Sequence, residues 1–245
     1  MNIVFPYNED IEQLISKAKK LFHLSMNGEA SEKMSSMGYK LNYGVALPRI
    51  KEISKEFSTN KLFAECAWWS GCRELMILST FLLEKDMNKS PFKKEELLKW
   101  SSQLFNFELC EQFSKNFLSK ISYIESSEIE KGYEMSCELA NELITLQEDR
   151  TDLRVALGYI NYANIIRQDP KRELSAEKNI YNALETDVYS DSYVICTAIS
   201  RYLRTKVQQN ADEVQRFIQK LDFSKGNRVQ YIYEEVNTEL QYGNF

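Results

Sequence analysis

Ile11-Glu12-Gln13-Leu14-Ile15-Ser16-Lys17-Ala18-Lys19-Lys20-Leu21-Phe22 places its apolar residues at 11, 14, 15, 18, 21 and 22. That spacing lines one side of an α-helix with carbon and leaves charge on the other. The rest of the chain repeats the pattern as short amphipathic runs with brief breaks. Pro48 is placed to open a helix through Phe57. Runs near 61–70, 73–84, 91–103 and 108–123 follow, with Pro91, Glu108 and Tyr123 among their ends. Later runs lie near 127–146, 152–166, 170–184, 190–209, 211–221 and 228–240. Gly and Pro number only 8 and 4 in 245 residues, about half the average usage. Sandwiches and doubly wound sheets need more turn residues, so the expected fold is all-α.

Helix starts recur every ~12 to 20 residues, so helix pairs repeat at roughly 35 to 40, the period of HEAT-type arrays. A compact helical bundle has the same periodicity. The sequence shows no linker long enough to separate domains, so residues 1–245 read as one domain.

Composition removes several classes of function. Mean hydropathy is −0.45, and no stretch approaches the roughly 18 apolar residues of a membrane span. Met1-Asn2-Ile3-Val4-Phe5-Pro6 lacks the basic region and apolar core of a secretory signal. Cys66, Cys72, Cys110, Cys137 and Cys196 form no Cys-x-x-Cys pair, which points to a reducing, cytoplasmic setting without a disulfide framework. The single histidine, His23, sits in an apolar helical run and reads as a residue at the edge of the core. No metal and no cofactor is expected, and nucleotide-binding glycine loops are missing.

The net charge of −5 is unevenly spread. Residues 1–120 hold 17 Lys and Arg against 15 Asp and Glu, whereas residues 121–245 hold 14 against 21. Basic residues at one face can coexist with an acidic remainder, and Arg150, Arg154, Arg201, Arg204 and Lys206 are candidates for such a patch. A solvated mixed-charge surface is the alternative.

Two aromatic-rich segments stand out, residues 64–75 and 100–111. Trp68, Phe105 and Phe113 read as core. Phe107 and Glu111, one helical turn apart, put a ring and a carboxylate on one side of a helix start. Such a pair can stabilise positive charge developing in a transition state; the alternative is a packed ring beside a solvated carboxylate.

Five segments in order carry a family resemblance. Tyr39-Lys40-Leu41-Asn42-Tyr43-Gly44-Val45-Ala46-Leu47-Pro48-Arg49-Ile50 resembles the Gly-Val-x-x-Pro segment of the AlkD-like DNA alkylation repair family. Residues 64–82 resemble its helix with Ser-Gly-x-x-Glu. Asn106-Phe107-Glu108-Leu109-Cys110-Glu111-Gln112 is similar to its Asn-Trp-Asp-x-Cys-Asp-Gln signature. Leu153-Arg154-Val155-Ala156-Leu157 is similar to its Val-Arg-Arg-x-Ala segment, and Thr197-Ala198-Ile199-Ser200-Arg201-Tyr202-Leu203-Arg204 to its Lys-Ala-Ile-Ser-Trp-x-Leu-Arg.

The resemblance implies a HEAT-like α-solenoid whose concave face takes duplex DNA. It implies a glycosylase-like activity that excises N3- or N7-alkylated purines without metal or cofactor. In that reading Glu111 and Phe107 are catalytic, and Arg154, Arg201, Arg204, Arg150, Lys40 and Tyr39 contact DNA. Expected partners are alkylated, distorted or branched DNA, bound by a monomer near the nucleoid and away from membranes. Three departures fall at the site: Phe107, Glu111 and Arg201 stand where active members carry Trp, Asp and Trp. Two other readings therefore stand beside the enzyme: a non-catalytic binder of distorted or branched DNA, and a protein-binding helical scaffold.

Overall fold

The structure is a computed structural model describing residues 7–58, 60–86, 93–119, 129–146, 148–171 and 177–243. Helices dominate, as the low Gly and Pro content requires. Among the described residues there is no strand, and the β-type pairing is an isolated bridge between Leu41 and Cys72. Contacts divide the chain into two compact units, Met1–Phe92 and Lys93–Phe245. The division falls beside Pro91, which the periodicity makes a helix start; it lies outside the described residues, as do Tyr123 and the start expected near 127.

The first unit contains α1 (Glu9–Leu24), α2 (Gly28–Ser36), α3 (Leu47–Ser54), α4 (Lys61–Trp68) and α5 (Arg73–Asp86). The Asn8 side chain caps α1 by accepting from the Ile11 amide at 3.1 Å, and three acidic residues in the first turn suit the helix dipole. Ile11, Ala18 and Phe22 are buried along the expected stripe. His23, expected at the edge of the core, is instead exposed, because it falls one residue past the buried Phe22 on the solvent side of the last turn. Helix α2 has no counterpart in the hydrophobic pattern, since it buries no residue at all. Its signal is the cap: Asn27 accepts from the Ala30 amide at 3.0 Å.

The family-like segment around Gly44 is pinned from below by α5. The buried Glu74 carboxylate accepts from the Tyr43 and Val45 amides at 3.0 and 3.1 Å and from Arg73 at 3.1 Å. Arg73 in turn donates to the Val45 carbonyl at 2.8 Å. Gly44 has φ 68°, and a Cβ there would collide with the Asn27 carbonyl and the Ser31 amide. The Ser-Gly-x-x-Glu motif is thus a staple that holds a loop to a helix.

The second unit contains α6 (Lys94–Ser101), α7 (Phe107–Phe113) running into a π-helical turn (Ser114–Leu118), α8 (Ile129–Thr145) and α9 (Asp152–Gln168). It continues with α10 (Glu177–Asp187), α11 (Tyr193–Ile218) and α12 (Val229–Tyr242). Helix α9 is the axis of this unit: every residue from Arg154 to Ile166 is buried, and α8 and α11 pack against it. At Gly158 the approach of α8 is close, for a Cβ would stand 2.7 Å from both the Ala140 carbonyl and Ile144 Cγ1. Two side-chain amides buried by this packing are paired. Asn164 donates to Ser114 at 2.9 Å and Asn161 to Ser136 at 3.0 Å, as burial demands.

Trp68 and Phe113 are fully buried as expected, but Phe105 is 41% exposed. Phe105 precedes the Asn106 cap and lies outside any helix, so helical spacing does not govern its side chain. Trp100, Phe113 and Phe117 fill the core instead, with ring centroids 5.5 to 6.4 Å apart. Helix α11 breaks at Asn210, where φ is −154° and ψ is 82°. The Asn210 side chain accepts from the Glu213 amide at 3.1 Å, so the two runs expected on either side of residue 210 are two helical segments.

Candidate nucleic-acid interface

Asn106 caps α7 by accepting from the Leu109 amide at 3.0 Å, which sets Phe107 in the first turn and Glu111 one turn later. Both are half-buried. Between them Cys110 turns inward, where burial pushes its thiol pKa up and it donates to the Leu153 carbonyl at 3.4 Å. That contact ties α7 to the start of α9.

The Glu111 carboxylate is engaged. Arg201 Nη1 on α11 donates to Glu111 Oε1 at 2.6 Å, with the two side chains 25% and 38% exposed. Residues ninety positions apart are thereby joined by a short charge-assisted hydrogen bond. One turn on, Arg204 donates to Glu239 at 3.0 Å and to Glu235 at 2.9 Å, both on α12.

Arg154 has a different place. It is 7% exposed and donates to Ser101 Oγ at 3.1 Å and to the Asp149 and Leu98 carbonyls at 3.2 and 3.3 Å. Burial lowers its pKa against the pull of Asp149 and Glu142. This guanidinium is engaged within the protein, whereas the family resemblance makes it a DNA contact. Arg150 is also committed, to the Ile144 carbonyl and to Asp187, each at 2.6 Å. Lys206, counted in the basic patch, is buried and donates to Gln209 at 3.1 Å.

In the first unit, Tyr39 is 1% exposed with the Arg73 guanidinium 5.7 Å from its ring centre, so its ring belongs to a core and not to a surface. Lys40 beside it is exposed.

A cleft of about 420 Å³ opens between α9, α11 and α12. Thr197, Ser200, Arg201 and Arg204 contribute a polar stripe from α11, Arg167 reaches in from the last turn of α9, and Tyr231 comes from α12. Burial lowers the Arg167 pKa, and Arg201 and Arg204 lower it further, while Glu239 opposes them. Arg167 and Ser200 were not singled out by the sequence reading. The positions 197, 200, 201 and 204 follow helical spacing, a polar stripe legible in the sequence; Arg167 has no such signal, because a basic residue in a last helical turn suits the helix dipole anyway. No group of three or more His, Cys, Asp and Glu is placed to hold a metal among the described residues. Nor is any described helix long and apolar enough to cross a membrane.

The sequence profile of the family described as "DNA alkylation repair enzyme" matches residues 20–235. A search of curated proteins returns no match. Among solved structures, one described as "A new family of proteins related to the HEAT-like repeat DNA glycosylases with affinity for branched DNA structures" superposes with a TM-score of 0.65. It covers 93% of this chain and 94% of its own, at 15% sequence identity. At that identity the likeness carries the fold, a HEAT-like helical repeat, as the family resemblance leads one to expect.

Proposed function

We propose that this chain, which belongs to the DNA alkylation repair enzyme family, binds DNA through its phosphate backbone and does not excise bases. The observation that supports this reading is the 2.6 Å pair between Glu111 and Arg201. Excision by charge stabilisation needs a carboxylate whose negative charge faces the sugar cation as it develops. Here that charge is shared with a guanidinium, and Arg201 sets a positive charge beside any such cation. Phe107 is left as the cation-facing group, and a phenyl ring attracts cations less than an indole. The same arginines that oppose a cationic transition state favour phosphate.

The solved relative is described as having affinity for branched DNA, so branched DNA is the first ligand to test, with intact and alkylated duplexes beside it. Recognition of distorted DNA by shape and backbone contacts needs no base-specific chemistry. The test combines two assays on purified protein: release of 7-methylguanine or 3-methyladenine from alkylated duplex, and gel-shift binding at low salt. The expected result is binding without base release, with Glu111→Gln binding as well as wild type or better because a negative charge is gone. Base release that disappears in Glu111→Gln would overturn the reading in favour of a glycosylase.

A further inference from the structure

The geometry points to a phosphate-oxyanion site in the cleft between α9, α11 and α12, with Arg167 and Ser200 as its unspent donors and Arg201 and Arg204 as its charged wall. This deepens the DNA-binding reading and rests on it only for the source of the phosphate.

Two independent features mark the site. Among the described residues, the Arg167 side chain makes no hydrogen bond or ion pair, although it lines the same cleft as two other arginines. Ser200, next to Arg201, is 2% exposed and its hydroxyl has no hydrogen-bond partner. A buried hydroxyl without a partner carries a desolvation cost, and a ligand oxygen in the cleft would remove it. The neighbouring Thr197 hydroxyl is already committed to the Tyr193 carbonyl at 2.8 Å, so Ser200 is the hydroxyl left to serve.

The remaining charges are arranged as if an anion were held in reserve. Glu111 occupies Arg201, and Glu235 and Glu239 occupy Arg204. Carboxylate oxygens sit where phosphate oxygens would sit, and without them the guanidinium groups would repel one another. Arginine forks accept carboxylate and phosphate in the same geometry. A phosphate entering beside Arg167 therefore meets one free guanidinium and two that can exchange a carboxylate for it. Charges facing Arg167 from the neighbouring helices are Arg201 and Arg204 on α11 and Glu239 on α12, and their balance at Arg167 is positive.

The phosphate could belong to a nucleic-acid backbone or be free, and two titrations of the full chain separate these sources. Inorganic phosphate is added while the arginine Nε–Hε signals are followed by NMR. Linear and branched DNA are bound at several salt concentrations. Wild type is expected to show saturable phosphate shifts that Arg167→Gln weakens at least roughly tenfold. The same variant should weaken DNA binding roughly tenfold and reduce the salt slope by about one. Ser200→Ala should act in the same direction and more mildly, whereas Glu235→Gln should tighten both ligands by releasing Arg204. Phosphate binding that needs Arg167, with DNA affinity unchanged, keeps the site and makes free phosphate or a small phosphoester its ligand. Phosphate binding at Arg167 in a protein that binds no DNA keeps the site and removes the DNA-binding reading. DNA binding that ignores Arg167→Gln, together with no phosphate response, overturns the site and leaves the DNA-binding reading standing. Weaker binding in Glu235→Gln would also overturn it, since the carboxylates would then be supports and not competitors.

Discussion

Arg154 and Arg201, both expected from the sequence to contact DNA, have opposite fates. Arg201 meets a carboxylate at a half-exposed surface, whereas Arg154 serves neutral acceptors in the interior. Arg154→Ala would leave Ser101 and two carbonyls short of a donor, and the expected loss is about 2–4 kcal/mol of stability in chemical unfolding. DNA affinity of the folded variant should stay within about twofold of wild type, since losing a phosphate contact costs far more. Asp187 gives a test by pH. Burial raises its pKa, against the lowering effects of Arg150 and the Tyr159 hydroxyl, so the native state holds the proton more tightly than the unfolded chain. The stabilisation from that proton is full below the unfolded carboxylate value of about 4 and is lost as pH rises through the higher native value. Unfolding measured across this window should show wild type losing stability relative to Asp187→Asn as pH increases.

At the scale of elements, helix α9 carries the second unit, and its contact with α8 is set by what residue 158 lacks. Alanine is a better helix former than glycine by about 1 kcal/mol. Gly158→Ala should nevertheless lower stability, because its methyl must displace the Ala140 carbonyl and Ile144; overpacking of this kind costs about 1–3 kcal/mol. A Tm at or above wild type would show that α8 yields freely. Helix α2 makes the converse point. It stands on a cap and buries nothing, so hydrophobic periodicity passes over it while its Asn27 signal remains readable.

For the whole molecule, net charge conceals the chemistry. The balance of −7 over residues 121–245 argues against an anionic ligand, yet that stretch contains the arginine cleft. Glu235 and Glu239 add to the acidic count and are the ion-pair partners of Arg204. An acidic chain that grips phosphates at a few points should bind DNA weakly at moderate salt. Plotting log Kobs against log salt should give a slope of about −2 to −3, as expected for two or three neutralised phosphates. A slope near zero would point away from backbone binding.

The all-helical class was written in the sequence because helical periodicity is local: each apolar stripe is set by residues three and four apart. Family membership was legible for a related reason, since Gly44 and Glu74 stand where a tight loop and its staple permit little else. The fate of the charged side chains was not legible. Arg and Glu are long, and whether each is buried, paired or free depends on helices far away in sequence, as Arg201 and Glu111 on α11 and α7 demonstrate. Spacing put Phe107 and Glu111 on one side of a helix. Only the packing of helices distant in sequence decided that a guanidinium would occupy the carboxylate, that Arg154 would turn inward, and that Arg167 and Ser200 would be left with donors to offer.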